Sequence, residues 1–439
     1  MCSSRLKPPR DDPPAAELPS VLLALCALAS ALMVGRLVPA APGAGKMPAA
    51  VSAPLLPTVL TSPFVWRVIV DSRADRLIAQ TDRGLQVIGA RGAAPLLPAP
   101  SSPGMVLVPL AMDQRTGHLF AAALRPGRSD GLAEIDLTSG RVLRTLFSLS
   151  APGSPYTGGR PTGVALDAGT GRLFVVLEGI HQPTSEFHYT DAIAVSTLDA
   201  RSGRVLRTSY VGRAGRSLLL DERTQRVFVA TVHTVAVLDA HDGAVLRTYR
   251  PSPTAQDAHL SVAALATQSG RVLVINDNTG DGLAPARMTL TLLDTHSGQA
   301  VATFPGSQST AIDDQRGVVY VAAGGRIVVR ALRDGAILRR LPAAPDVSAL
   351  AVDTRAGDLL VATTGPTDAG GLPRGRGHLA RLDPATGVVL GRFTTGYLPS
   401  QILLLPQSGR AYVVSAGARR DGPAPLTLPA SITLLDHAR

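Results

Sequence analysis

Four potential metal ligands stand close together in one polar segment of the chain. The segment Glu178–Ala192 carries His181, Glu186, His188 and Asp191. Imidazole nitrogens and carboxylate oxygens are ligands that zinc and similar divalent cations accept. Their spacing matches no known metal-binding motif, so a solvated polar loop is the competing interpretation. The segment is therefore a candidate metal site, and no cofactor is predicted.

A second group of residues suits anion binding. Arg374 and Arg376 stand in one Gly/Pro-rich segment, and Arg419 and Arg420 stand in a later one. Guanidinium groups bind carboxylates and phosphates through paired hydrogen bonds. The competing interpretation is solubilising charge on exposed loops. We predict an anionic-ligand site at these four arginines, with an anionic glycan or a protein as partner.

The composition argues against other functions. The net charge is +10, but only Lys7 and Lys46 of the 43 basic residues are lysines, and the arginines are scattered along the chain. Aromatic residues make up 4% of the chain, too few for the stacking platforms that bind single-stranded nucleic acid. Nucleic-acid binding is therefore not expected. The chain also lacks a G-x-S-x-G nucleophile motif and a phosphate-binding glycine loop.

One strand-rich pattern recurs through residues 63–439 and must position both groups. In each unit an apolar strand, a turn and a β-branched strand are followed by a second strand–turn–strand that often ends in Arg-Thr. The first turns align at Asp71, Asp113, Asp167, Asp221, Thr267, Asp313, Asp353 and Pro406. The second turns align at Gly89, Asp136, Asp199, Asp239, Asp294, Ala331, Asp383 and Asp436. A period of about 48 residues is typical of four-stranded blades. The pattern predicts an all-β propeller of eight blades, or of seven if the first unit, with Gly89 in place of Asp, is irregular.

The alternating strand directions divide the loops between two ends of such a ring. Asp accepts a hydrogen bond from the backbone two residues on, and a later Gly supplies a positive φ, so each Asp…Gly segment closes a tight turn. Both tight turns of a unit lie at one end, which we call the tight-turn end. The loops between second and third strands and the connections between blades lie at the other, the loop end. Both candidate groups fall at the loop end, where we predict function.

The chain also predicts how the ring closes. The last unit ends at Leu434–Arg439, directly after its third strand. We expect Leu55–Leu60 to supply the missing fourth strand by pairing with Ser431–Leu435. Closure of this kind covers the edge that an open ring would expose.

Four segments carry a family resemblance: Gly158–Asp167, Leu166–Val176, Ile193–Thr208 and Thr394–Leu405. They resemble the YVTN-type β-propeller repeats of bacterial and archaeal surface proteins and quinoprotein-dehydrogenase-like propellers. The resemblance covers roughly residues 63–439 and implies a propeller, in this family mostly of seven blades. The tetrad that names the repeat appears only as variants such as FVVL, FVAT and YVVS.

The N-terminal residues indicate export. Residues 1–20 are polar and Pro-rich and are predicted to be a cytoplasmic n-region, whereas Val21–Val34 is uncharged and apolar. Fourteen such residues suit a signal peptide, so residues 21–41 are predicted to be a signal peptide or a signal-anchor helix. Residues 42–62 form an Ala/Pro-rich linker before the propeller domain, residues 63–439. Both cysteines, Cys2 and Cys26, precede the repeats, as suits an oxidising exterior.

Together these features predict a monomeric propeller outside the cytoplasm, secreted or anchored to the cytoplasmic membrane by residues 21–41. Its expected role is a non-catalytic binding or scaffold module, or a structural subunit of an envelope complex. The alternative is a propeller hydrolase, lyase or oxidoreductase with its site at the loop-end mouth of the central channel. Buried carboxylates and histidines at that mouth would favour the enzyme.

Overall fold

A computed structural model describes residues 54–96, 106–125, 128–146, 159–179, 192–213, 215, 217–250, 258–278, 288–368, 372–420 and 426–436. All of them belong to one unit, Ala50–Arg439. Within these ranges no helix is long and apolar enough to span a bilayer. The predicted signal segment, residues 21–41, lies outside them.

The strands form eight four-stranded antiparallel sheets, numbered here as blades 1 to 8. Blade 1 contains β2 (Val65–Asp71), β3 (Arg76–Thr81), β4 (Gly84–Gly89) and β5 (Gly92–Pro95), and blade 2 contains β6 (Val106–Asp113), β7 (His118–Arg125), β8 (Arg128–Asp136) and β9 (Arg141–Thr145). Blade 3 contains β10 (Arg160–Asp167), β11 (Arg172–Glu178), β12 (Ala192–Asp199) and β13 (Val205–Arg213). Blade 4 contains β14 (Ser217–Asp221), β15 (Arg226–Ala230), β16 (Val235–Asp239) and β17 (Val245–Tyr249).

Blade 5 contains β18 (Ala258–Ala266), β19 (Arg271–Asn278), β20 (Thr289–Asp294) and β21 (Ala300–Pro305). Blade 6 contains β22 (Thr310–Asp313), β23 (Val318–Ala323), β24 (Arg326–Ala331) and β25 (Ile337–Pro342). Blade 7 contains β26 (Val347–Asp353), β27 (Asp358–Thr363), β28 (His378–Leu382) and β29 (Val389–Thr394). Blade 8 contains β30 (Pro399–Leu404), β31 (Ala411–Ser415), β34 (Ala430–Leu435) and β1 (Thr58–Ser62). A hairpin of β32 (Ala418–Arg420) and β33 (Leu426–Leu428) is inserted between β31 and β34.

Neighbouring blades pack through eight hydrophobic clusters, one at each interface around the ring. The cluster between blades 8 and 1 brings Tyr412 and Leu434 against Leu77 and Ile88, all nearly or fully buried. Burying both faces of every blade requires a neighbour on each side, which only a closed ring supplies. The prediction of an eight-bladed propeller is therefore confirmed, and the first blade is regular despite Gly89.

The N-terminal strand closes blade 8, as predicted. β1 pairs antiparallel with β34, with Leu60 opposite Ile432 and Ser62 opposite Ala430. The strand begins at Thr58 instead of the predicted Leu55, because Pro57 has no N–H to donate to a ladder. The residues before it turn to blade 7, where the Leu56 amide donates to the Thr394 carbonyl at 2.9 Å.

The tight turns follow the chemistry predicted from their Asp and Gly residues. In blade 3 the Gly171 amide donates to the Asp167 carbonyl at 2.8 Å, with Gly171 at φ +67°. The Asp167 Oδ1 accepts the amides of Gly169 and Thr170 at 2.9 and 3.1 Å. Burial disfavours ionisation of Asp167, but hydrogen bonds from Gln225, Thr170 and Gly169 outweigh it and hold the pKa of the carboxyl below its usual value.

Candidate functional site

A short hairpin carries Arg374 and Arg376 at the loop end of blade 7. Its base is fixed by Asp346, whose Oδ2 accepts the Gly365 amide at 2.7 Å. Its sides are joined by the Arg374 amide, which donates to the Pro366 carbonyl at 2.8 Å. Both arginine side chains are exposed. The Asp346 carboxylate therefore secures the hairpin through its backbone.

The connection between blades 7 and 8 lies against this hairpin. The Gly377 amide donates to the Gly396 carbonyl, and the Thr395 amide donates back to the Gly377 carbonyl, both at 2.9 Å. The Arg376 guanidinium lies over the Tyr397 ring, 5.5 Å from its centre. Stacking of this kind orients a cation and leaves its N–H groups at the plane's edge for a ligand.

The same connection also holds the inserted hairpin of blade 8. The Ala416 amide donates to the Leu398 carbonyl at 3.0 Å, and the Gly417 amide donates to the Tyr397 carbonyl at 3.2 Å. Arg419 and Arg420 follow directly in β32. The structure thus ties the backbone of both arginine-bearing hairpins to one four-residue connection, Thr395–Leu398. The side chains of Arg419 and Arg420 lie outside the described part of the chain.

Leu398 marks this connection as strained. It adopts φ +51°, a left-handed conformation that is unusual for a non-glycine residue. Such strain persists only where surrounding contacts enforce it, and it concentrates at functional sites. Gly396 beside it is tightly packed, since a Cβ there would lie 2.8 Å from the Cβ of Ser415. The sequence analysis missed Tyr397 and Leu398, although a lone aromatic residue within the G-x-x-P turn was visible.

The candidate arginines differ electrostatically from those elsewhere. No ion pair among the described residues joins Arg374 or Arg376 to a carboxylate. At the tight-turn end, Arg271 bonds Asp294 at 2.7 Å and Arg410 bonds Asp75 at 2.7 Å. At the loop end Arg160 pairs with Glu178 at 3.0 Å, which uses its charge internally. Unlike these three paired arginines, Arg374 and Arg376 keep their charge available for a ligand.

The other candidate site cannot be placed in the fold. His181, Glu186, His188 and Asp191 all lie outside the described residues. Within the described ranges, no group of three or more His, Cys, Asp or Glu residues is arranged to hold a metal ion. The metal site remains a prediction.

Comparison with solved structures supports the fold. The chain is similar to the crystal structure of BamB from Moraxella catarrhalis, with 15% identity and a TM-score of 0.51 over 85% of this chain and 100% of that one. It also matches Kuenenia stuttgartiensis hydrazine synthase, with 13% identity and a TM-score of 0.47 over 72% of this chain and 96% of that one. No protein-family model and no curated protein matches the chain.

This chain is a β-propeller. The likeness to BamB extends over the whole of that chain, and at this level of identity it bears on fold alone. The YVTN resemblance remains a prediction.

Proposed function

We propose that this propeller is a non-catalytic binding module that captures an anionic ligand at the loop end of blades 7 and 8. The ligand class is a carboxylate- or phosphate-bearing polymer, such as an anionic glycan. The observation that carries the proposal is the shared connection Thr395–Leu398, which joins the two arginine-bearing hairpins and stacks Tyr397 under Arg376.

Electrostatics supports the same conclusion. Guanidiniums on two hairpins that share one connection would raise the local concentration of anions, and several modest contacts would sum to useful affinity at low salt. Because the hairpin backbones are fixed by hydrogen bonds, little ordering entropy is lost when a ligand binds. The proposal therefore also requires that affinity falls steeply with ionic strength.

We further propose that the protein acts outside the cytoplasm, with residues 21–41 as signal peptide or anchor. The apolar run Val21–Val34 and the lack of cysteine after Cys26 support this location. N-terminal sequencing of the native protein, with cell fractionation, tests it. Recovery from the cytosol with residues 1–40 intact would contradict it.

The binding proposal is tested by replacing Arg374, Arg376, Arg419 and Arg420 with serine. We expect earlier elution from an anionic polysaccharide resin in a salt gradient. The control variant replaces four arginines with exposed side chains that lie at a tight turn or on fourth strands, outside the two hairpins, and form no ion pair among the described residues: Arg204, Arg247, Arg340 and Arg392.

The control must be chosen this way because Arg172, Arg226 and Arg271 at the tight turns are paired with Asp199, Asp239 and Asp294. Both variants lose four charges, so bulk electrostatics shifts them equally. If the two elute together, the proposed site is only general surface charge.

A further inference from the structure

One arginine lies at the inner wall of the ring with no acidic partner among the described residues. Arg67 is partly buried on β2, the first strand of blade 1, toward the loop end. Its Nη1 donates to the Thr162 carbonyl on β10 at 3.3 Å. β2 and β10 belong to blades 1 and 3, and the first strands surround the central channel. The side chain therefore reaches past blade 2 along the channel wall.

Two buried polar side chains, Thr162 and Gln80, lie on the strands that carry or contact Arg67. Thr162 is 8% exposed, and its Oγ1 has no hydrogen-bond partner. It sits at a β-bulge, since the register of β10 shifts between Pro161 and Gly163. Gln80, 7% exposed, lies directly opposite Arg67 in the β2–β3 ladder. A guanidinium, a hydroxyl and an amide are thus brought to one region near the channel mouth.

This arrangement is unfavourable unless something compensates the charge. Burial removes water from the guanidinium and lowers the pKa of Arg67. A single 3.3 Å bond to a neutral carbonyl returns little of that loss. Buried charges in proteins are generally paired, because burying an unpaired charge costs on the order of several kcal/mol of folding free energy.

We propose that Arg67 anchors an oxyanion, the size of phosphate or a single carboxylate group, at the loop-end mouth of the central channel. The planar guanidinium binds two of its oxygens side by side. The Thr162 hydroxyl and the Gln80 amide are the nearby groups able to donate to the others. This site belongs to blades 1 and 3, so it is separate from the arginines of blades 7 and 8.

The test compares wild type with Arg67→Met, which keeps the length and apolar stem of the side chain and removes its charge. Thermal unfolding is measured in sodium chloride and in sodium phosphate at matched ionic strength and pH. Phosphate stabilises most proteins non-specifically, and that general effect is common to all variants. Arg392→Met, at an exposed arginine of β29, controls for the loss of one positive charge. We expect phosphate to raise the Tm of wild type and Arg392→Met several degrees more than that of Arg67→Met.

In chloride the order reverses. Removing an uncompensated buried charge relieves its desolvation cost, so Arg67→Met should unfold at the same or a higher temperature than wild type. A ³¹P NMR titration gives a second readout: the saturable broadening of the phosphate line should be much weaker with Arg67→Met than with wild type or with Arg374→Ser/Arg376→Ser.

Two results would overturn the proposal. One is an equal phosphate effect on all three proteins, which leaves only the general salt effect. The other is a clear loss of Tm for Arg67→Met in chloride, which would mean that a carboxylate outside the described residues already neutralises Arg67. Absence of glycan binding by the wild type, with the phosphate effect intact, would instead contradict the proposed function alone.

Discussion

Arginine side chains at the two ends of this propeller are used differently. At the tight-turn end, Arg410 of blade 8 bonds Asp75 of blade 1 at 2.7 Å, so it joins two blades. At the loop end, Arg374 and Arg376 extend from a hairpin whose base is held by the Asp346 carboxylate through a backbone amide. The residue type and the charge of its side chain are the same at both ends. The partner decides whether an arginine stabilises the ring or is available to a ligand.

Backbone strain shows the same division. At the tight-turn end, Asp75 and Gln225 adopt positive φ where most turns have glycine. Their side chains bond neighbouring blades, Asp75 to Arg410 and Gln225 to Asp167. At the loop end the positive φ belongs to Leu398, whose carbonyl holds the blade 8 hairpin. Strain joins blades at one end and joins candidate binding loops at the other.

The largest effect should come from a buried carboxylate at the tight-turn end. Glu134 accepts from Arg144 at 2.6 Å and contacts His118 at 2.7 Å, and Arg144 also donates to the Ala200 carbonyl of blade 3. Glu134→Ala removes the charge-assisted hydrogen bonds to Arg144 and His118, which should cost about 2–3 kcal/mol of unfolding free energy. Urea denaturation measures this. A cost under about 1 kcal/mol would show that the ion pair between Glu134 and Arg144 contributes little to the stability of the ring.

A smaller effect, on both stability and binding, is expected at Gly396. An alanine Cβ would press on Ser415, and overpacking of this kind costs about 1–3 kcal/mol. Because Gly396 precedes Tyr397, the displacement should also weaken retention on the anionic resin. Gly89→Ala is the control, since a Cβ there meets nothing within 4 Å and Gly89 has no left-handed φ. If Gly396→Ala leaves retention on the resin unchanged, the connection Thr395–Leu398 does not contribute to the binding site.

Acid should remove the stabilisation that Asp167 gives to the tight-turn end. The pKa of Asp167 is held below its usual value in the folded protein, so its contribution is fully present above the unfolded pKa of about 3.9 and is lost as pH falls through the folded pKa. Asp167→Asn cannot titrate. The difference in Tm between wild type and this variant should therefore narrow below about pH 4. A difference that stays constant from neutral to acidic pH would contradict the assignment.

The smallest effect on stability is expected for the candidate site itself. Arg374→Ser/Arg376→Ser removes exposed side chains without an ion pair among the described residues, and such changes usually stay within about 0.5 kcal/mol. Calorimetry of the variant beside Glu134→Ala makes the contrast direct. A loss as large as that of Glu134→Ala would show that these arginines support the ring.

The sequence was sufficient for the architecture because each blade repeats the same local chemistry. Asp at the end of a strand and Gly four residues on specify a tight turn wherever they occur, and the alternation of eight first turns with eight second turns fixes the blade count. The missing last strand likewise predicted closure from the N-terminal side. Only its limits differed, because Pro57 interrupts the ladder.

Features that depend on contacts between blades could not be predicted. The fourth-strand pattern Val-Leu-Arg-Thr predicts a strand, but not that the ladder skips Leu246, leaving it 49% exposed. Nor does the sequence show that Arg67 meets Thr162, 95 residues away. At the candidate site the arginines were recognisable by type, whereas Tyr397 and Leu398 acquire their role only from two hairpins that meet there.

Thermal unfolding with and without a soluble anionic polysaccharide tests the central claim most directly, since a ligand raises Tm only if it binds the folded protein. For Glu134→Ala we predict a lowered Tm and an undiminished rise with polysaccharide. For Arg374→Ser/Arg376→Ser/Arg419→Ser/Arg420→Ser we predict an unchanged Tm and loss of most of the rise. If the loop-end variant keeps the wild-type rise, or loses no more of it than Arg204→Ser/Arg247→Ser/Arg340→Ser/Arg392→Ser, the division between a structural end and a binding end is wrong.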